Sequence, residues 1–368
     1  MKIFYDHQIF RVQRYGGVSR YFYEIASRLS VEKGCDVEIF APLHINQYLV
    51  LPSGMRVRGK KIRQPPYSGP ITRRINSMLT RALVSFRKDI HIFHETYFTT
   101  ADNCPRSAKR LLTVYDMIHE KFPRYFSRYD VTRKNKAHAV RRADHVICIS
   151  ENTRQDLIAL LGVPKEKTSV VYLGHSLSCS VDFAPPVKYD RPFILYVGNR
   201  TDYKNFDLLL KAVASSKLLQ KDFSIICFGG GPSPKEMGLP AHMGLPADCV
   251  VYMSGDDSVL AGLYSSARVL VYPSLYEGFG IPPLEAMSFG CPVICANTSS
   301  LPEVVGDAAR LFDPTSESDL RAALEAVVFS SEYTVRLKAK GLERVKMFSW
   351  EKCADETLKV YKKVLEDG

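Results

Sequence analysis

The sequence predicts an α/β chain of two doubly wound domains, each a parallel sheet wrapped by helices. Three observations predict it. The chain opens with a short apolar stretch, Lys2-Ile3-Phe4-Tyr5. It then passes a glycine pair, Gly16 and Gly17, and enters apolar residues at helical spacing (Tyr21, Phe22, Ile25, Ala26, Leu29). Strand, glycine loop and helix in that order begin a doubly wound unit. Residues 176–192 hold turn residues, a Pro-Pro pair and no periodicity, as an interdomain linker does. Beyond them the alternation restarts, with continuous apolar runs such as 193–198 and 267–272 that read as buried parallel strands. The predicted domains are 1–180 and 181–349, with helices finishing the chain through 350–368.

At 368 residues and 46% hydrophobic content the chain is long enough for two cores. It has no run of 18 or more apolar residues, which argues against a transmembrane helix, and its start (MKIFYDHQIF) lacks the apolar core of a signal peptide. The nine cysteines are scattered and odd in number, and the nearest pair, Cys291 and Cys295, fits no zinc pattern. Reduced thiols in a cytoplasmic protein are the expectation. The net charge is +11, and residues 51–150 carry 21 Lys and Arg against 7 Asp and Glu. Such a concentrated basic segment suits phosphates or an anionic membrane surface. No helix-turn-helix, zinc finger or RNA-binding aromatic signature accompanies it, so nucleic acid is not expected as a partner.

Taken in order, residues 37–41 read as a second strand. Residues 44–88 are irregular, with Pro65, Pro66 and Tyr67 and a basic amphipathic patch over 71–83. That patch would lie on a membrane surface or cover one edge of the domain. Residues 90–94 and 110–115 are strands, the second ending at Asp116-Met117-Ile118-His119. Ligands of open α/β sheets gather beyond the carboxyl ends of strands, which places His94, Asp116 and His119 where a ligand would sit. Asp116 or His119 reads equally well as a residue serving its own turn. Ser150 caps a helix that Gly162 and Pro164 end, and 170–175 is the last strand of this half.

In the second half, strand 193–198 is followed by Arg200 and Lys204 before a helix over 207–213. Two cations beside a helix N-terminus would hold a diphosphate, although exposed cations are ordinary. Gly229-Gly230-Gly231 follows the next strand, and a helix from Leu260 leads into strand 267–272. Then comes EGFGIPPLEAM, residues 277–287. Glu277, Gly278, Phe279, Gly280 and Ile281 form a strand-to-helix turn, Pro282 or Pro283 fits the first helical turn, and Glu285 stands early on the helix. The glycines admit a ligand to the backbone, the helix end favours a phosphate, and the two carboxylates accept hydrogen bonds from hydroxyls. One Glu near a helix start merely complements its dipole. Two separated by seven residues with GFG and PP between them are far more specific.

On these residues the chain resembles the retaining glycosyltransferases of the GT-B fold, glycosyltransferase family 4. Their signature, commonly EGFGLPPLEAM, stands here nearly intact. Val197-Gly198 with Arg200, Lys204 and Asn205 matches the family pattern VGxRxxxKN, and SLPEVVGDAARLFDP (300–314) extends the match. In the first half the likeness is thinner. The family pattern TVHDL becomes TVYD, with Tyr115 in place of the histidine and Asp116 retained. The resemblance implies two Rossmann-like domains facing a cleft, with the nucleotide sugar on the second, the acceptor on the basic first, and the final helix, 350–368, crossing back to the first domain.

It further implies Gly16 and Gly17 near the donor sugar, Arg200 and Lys204 on the diphosphate, and Glu285 on the ribose. Glu277 and the backbone of 279–281 would hold the donor sugar. Asp116, His119, Glu277, Arg200 and Lys204 are then the catalytic candidates. No metal or other cofactor is expected, since an Asp-x-Asp metal motif is absent from the sequence. The implied reaction retains the anomeric configuration, with the leaving phosphate taking the acceptor proton. The Arg-x-x-x-Lys-Asn variant leans toward GDP-mannose, and the basic face toward a lipid-linked glycan acceptor at the inner face of the cytoplasmic membrane, in surface polysaccharide or lipopolysaccharide synthesis. A nucleotide-sugar hydrolase or epimerase would call for a more definite acid near Gly17. A non-catalytic scaffold would have no need of Arg200, Lys204, Glu277 and Glu285 together.

Overall fold

The computed structural model describes residues 1–50, 55–63, 69–177, 189, 191–200, 202–246 and 248–367. Most of the linker expected over 176–192, and Pro65, Pro66 and Tyr67, lie outside these residues. The chain forms two compact units, Met1–Gly174 with Trp350–Gly368, and His175–Ser349. The final helix, Trp350–Glu366, therefore belongs to the first unit.

The first unit is a seven-stranded sheet of β1 (Lys2–Tyr5), β2 (Asp36–His44), β3 (Arg56–Lys61), β4 (Ile92–Glu95), β5 (Lys109–Val114), β6 (His145–Cys148) and β7 (Thr168–Val170). Its order is β3-β2-β1-β4-β5-β6-β7, with every pair parallel. Strand β3 lies in the stretch expected to be irregular; its sequence, RVRGKK, is mostly exposed and charged, as suits an edge strand, and carries no apolar pattern. The strand expected over 170–175 lies earlier, as β7. Helix Gly69–Val84 and helix Glu151–Leu161 form as expected. The Ser150 side chain accepts from the Thr153 N–H, and Gly162 closes that helix in the left-handed region at φ 64°.

Helix Trp350–Glu366 completes this unit's core. Tyr361 is fully buried and its hydroxyl lies 3.0 Å from that of Tyr5 and 2.6 Å from Nδ1 of His94. His94 Nε2 lies 2.9 Å from the Thr113 hydroxyl. His94 is thus a core residue, satisfied on both ring nitrogens, and not the ligand-facing group its strand-end position predicts. Strands covered on both faces give no alternation from which side-chain direction can be read.

The second unit is a six-stranded parallel sheet of β8 (Phe193–Val197), β9 (Ser224–Phe228), β10 (Val250–Met253), β11 (Val269–Tyr272), β12 (Val293–Ala296) and β13 (Arg310–Phe312). The order is β10-β9-β8-β11-β12-β13. All residues of β8, β11 and β12 are buried, which explains their unbroken apolar sequences. Among the described residues no helix is long and apolar enough to cross a membrane.

Burial makes the first unit sensitive to acid. It pulls the imidazoles of His7 and His94 down to about 3. An unfolded histidine titrates near about 6.5. Below that pH the unfolded chain binds more protons, so stability falls as the pH drops through 6.5 toward the folded values. Buried Asp6, pushed up to about 6, and buried Glu95, pushed up to about 7, offset part of this between their folded and ordinary values. His94→Gln should flatten the loss of stability between about pH 7 and about pH 5. Urea midpoints at the two pH values check it, and an unchanged slope in the variant would assign the effect elsewhere.

Candidate functional site

Each sheet reverses its strand order once, and neighbouring loops part at that point to leave a crevice. In the second unit the reversal lies between β8 and β11, adjacent strands whose successors β9 and β12 lie on opposite sides. The loop after β8 carries Arg200 and Lys204 and ends at Asn205, which is left-handed (φ 56°) ahead of helix Phe206–Ala214. The loop after β11 carries Glu277 to Gly280 into helix Ile281–Ser288. The two loops are stitched together. Leu275 N–H donates to the Tyr203 carbonyl at 2.8 Å, and Asn205 Nδ2 donates to the carbonyls of Pro273 (3.1 Å) and Pro314 (2.9 Å). Lys204 Nζ donates to Glu277 Oε1 at 2.5 Å.

Arg200 is anchored on the other side. Its Nε donates to Glu236 Oε1 at 2.7 Å, and one terminal nitrogen donates to the carbonyls of Gly230 (2.6 Å) and Gly231 (3.0 Å). Its guanidinium lies 5.1 Å from the Tyr252 ring centroid, and its other terminal nitrogen, Nη1, is buried without a partner. A buried guanidinium nitrogen left in this way has unused hydrogen-bonding capacity. Glu236 is a site residue that the sequence reading passes over. It sits in a capping box, with Ser233 N–H donating to Glu236 Oε2 at 2.6 Å. Burial opposes its ionisation, but the Ser233 hydrogen bonds and the Arg200 charge hold it below the usual carboxylate range. The Ser-x-x-Glu spacing was the available signal.

The turn of the signature is fixed from behind. Glu277 N–H donates to the Ser299 hydroxyl at 3.0 Å, and the Ser300 hydroxyl donates to the carbonyls of Glu277 and Phe279, each at 2.9 Å. Phe279 is buried with its ring 5.7 Å from that of Phe348, so its side chain is core and its backbone alone faces the turn. Gly280 has φ 105°, and a Cβ there would sit 2.7 Å from Leu301 Cδ2. Glu285 is 8% exposed and accepts from the Tyr264 hydroxyl at 3.3 Å. Two prolines in the first turn leave the dipole of this helix in place but thin its N–H donors.

The first-unit candidates lie at the carboxyl ends of β1 and β5. Gly16 precedes helix Gly17–Val31, and a Cβ on it would meet Gln13 Oε1 at 2.5 Å; that same oxygen accepts from the Ser19 N–H at 3.0 Å. Gly17 has open space around it. Asp116 accepts from the Ile118 N–H at 3.1 Å, and its carboxylate lies 3.5 Å from Lys136 Nζ. Lys136 is fully buried and donates to Glu120 Oε2 and to the Asp116 carbonyl, both at 2.8 Å. Nothing in a helix as basic as Thr132–Arg142 singles Lys136 out in the sequence. His119 is stacked on Phe126 at 3.9 Å with Nε2 3.5 Å from Asp130 Oδ2, and its Nδ1 is buried without a partner. Among the described residues no group of three or more His, Cys, Asp or Glu side chains is gathered as a metal ion would require.

Gly280→Ala should destabilise the chain by about 1–3 kcal/mol, from the left-handed backbone and the contact with Leu301. Gly17→Ala, with open space and no positive φ, should leave the urea midpoint unchanged. Equal midpoints for the two variants would show that the signature turn is not held in this shape.

Comparison with known proteins agrees with this architecture. Residues 15–178 match the family described as Glycosyltransferase Family 4, and residues 181–344 that described as Glycosyl transferases group 1. The O-antigen chain mannosyltransferase B of Escherichia coli is 30% identical over 289 residues, covering 74% of this chain and 74% of that protein. Sucrose-phosphate synthase from Thermosynechococcus elongatus has the same fold, with a TM-score of 0.77 at 21% identity over 100% of this chain and 99% of that one. Anabaena HepE, solved in complex with UDP and glucose, gives a TM-score of 0.72 at 16% identity over 99% and 100%. Two parallel Rossmann-like sheets, the signature turn at a switch point and both family matches lead to one assignment: the chain belongs to the group 1 glycosyltransferases of the GT-B fold.

Proposed function

We propose that this chain is a retaining, metal-independent hexosyltransferase that moves mannose from GDP-mannose to a lipid-linked glycan during surface polysaccharide or lipopolysaccharide assembly. The observation that carries it is the gathering of Arg200, Lys204, Glu277 and Glu285 around one switch point by the loops after β8 and β11. The mannosyltransferase name of the E. coli relative supports the choice of sugar.

A diphosphate entering this crevice competes with Glu277 for Lys204 and with Glu236 for Arg200. Glu277, released from Lys204, accepts from a donor-sugar hydroxyl, and Glu285 accepts from the ribose. As the bond from the anomeric carbon to the phosphate oxygen breaks, negative charge grows on the diphosphate. The two cations and the helix dipole after Gly280 stabilise it, supplying compensation that a divalent metal gives elsewhere. The acceptor oxygen forms its bond on the same face, and its proton passes to the departing phosphate oxygen. Asp116, beside Lys136 in the first unit, is the candidate for orienting the acceptor. His119, held between Phe126 and Asp130, is the weaker candidate for the same task. The basic segment 51–150 is the face offered to an anionic membrane at the cytoplasmic side.

In EDTA, GDP-mannose should raise the melting temperature more than UDP-, dTDP- or ADP-linked sugars, because a ligand bound only by the folded state stabilises it by mass action. No shift from any of them would sink the enzyme reading. Lys204→Ala and Glu285→Ala should each lower transfer by about a hundredfold or more while the far-ultraviolet dichroism is unchanged. Full activity in either variant would refute its role.

A further inference from the structure

The first unit holds a cavity of about 770 Å³ that the donor chemistry leaves unused. Its walls come from helix Gln8–Val12 after β1, the loop after β4, helix Gly69–Val84 and the start of helix Thr132–Arg142. Strands β1 and β4 are the pair at which this sheet reverses its order, so the cavity occupies the first unit's own ligand position.

Four cations line it, Arg11, Arg73, Arg74 and Lys134, and no carboxylate does among the described residues. None of the four forms an ion pair among the described residues. Other arginines of the same unit do, such as Arg28 with Glu351, Arg87 with Asp89 and Arg142 with Glu95. Arg11 donates once, to the Gly69 carbonyl at 3.2 Å, while its Nε is buried without a partner. Burial and the neighbouring Arg73 charge together pull the Arg11 guanidinium below its ordinary range. Guanidinium groups held together with no acid repel one another, and a bound anion removes that cost with charge-assisted hydrogen bonds.

Tyr97 and Phe98 form an aromatic side of the cavity. Burial, and then the charges of Asp116 and Asp130, push the Tyr97 phenol up to about 12. We propose that this cavity binds the phosphate or diphosphate ester of the acceptor, with the Arg11, Arg73, Arg74 and Lys134 side chains on the anion and Tyr97 beside the attached sugar. That the anion belongs to the acceptor rests on the transferase reading. The anion site itself does not.

The test is isothermal titration of inorganic pyrophosphate into the full chain saturated with GDP, so that the crevice of the second unit is filled. One saturable site is expected, weakened at least about tenfold in Arg73→Ser/Arg74→Ser and again in Lys134→Ser of helix Thr132–Arg142. All three residues are exposed, so the fold should survive, and circular dichroism checks it. No binding by the GDP-saturated chain, or equal affinity in the variants, overturns the proposal. If GDP itself fails to bind while the arginine-dependent site persists, the GDP-mannose reading falls and the anion site stands. Flotation with phosphatidylglycerol vesicles then identifies the source. Competition by pyrophosphate assigns the cavity to a lipid headgroup, and undisturbed flotation assigns it to a phosphate carried on a soluble or saccharide ester.

Discussion

Strands β8 and β11 run side by side, and their loops must then part, one toward helix Phe206–Ala214 and the other toward helix Ile281–Ser288. What holds the loops together across the parting is the ion pair of Lys204 with Glu277. The two side chains are 16% and 13% exposed, so water screens their attraction only in part. The backbone bond from Leu275 to Tyr203 and the Asn205 side chain set the spacing at which the pair can form. Behind it, Ser299 and Ser300 fix the shape of the signature turn, and Gly280 lets that turn pass Leu301. Lys204, Glu277 and the signature turn, all assigned to the donor, hang from this seam.

The two units handle positive charge in opposite ways. In the second, Lys204 and Arg200 each rest on an acid, Glu277 and Glu236. Desolvation of those charges is compensated before any ligand arrives, and a diphosphate has to displace protein contacts as it enters. In the first, the cations around the large cavity are left without acids among the described residues. The first arrangement favours exchange of one partner for another, and the second favours capture.

The sequence was most legible where chemistry is local. Glu277, Gly280 and Glu285 share one strand-to-helix turn, and Arg200 and Lys204 share another, so spacing and the family pattern together singled out both. The parallel sheets were legible because strands covered on both faces are apolar throughout. Three things were hidden. Glu236 meets Arg200 across a separation of 36 residues, and only the fold brings them together. Strand β3 is charged and carries Gly59, so its pairing with β2 leaves no hydrophobic pattern. His94 was placed correctly at a strand end, but whether its ring faces a ligand or the core depends on Tyr361, far along the chain.

That last contact bears on how the protein comes off the ribosome. The second unit is an insertion within the first, whose core closes only when helix Trp350–Glu366 arrives to seat Tyr361 against Tyr5 and His94. Until then the Tyr5 phenol and Nδ1 of His94 lack the hydroxyl that Tyr361 brings, Thr113 alone holds the imidazole, and an apolar face is uncovered. Vectorial synthesis normally lets the leading domain finish first. Here the leading domain waits for the trailing one, and the insert is free to fold before its host.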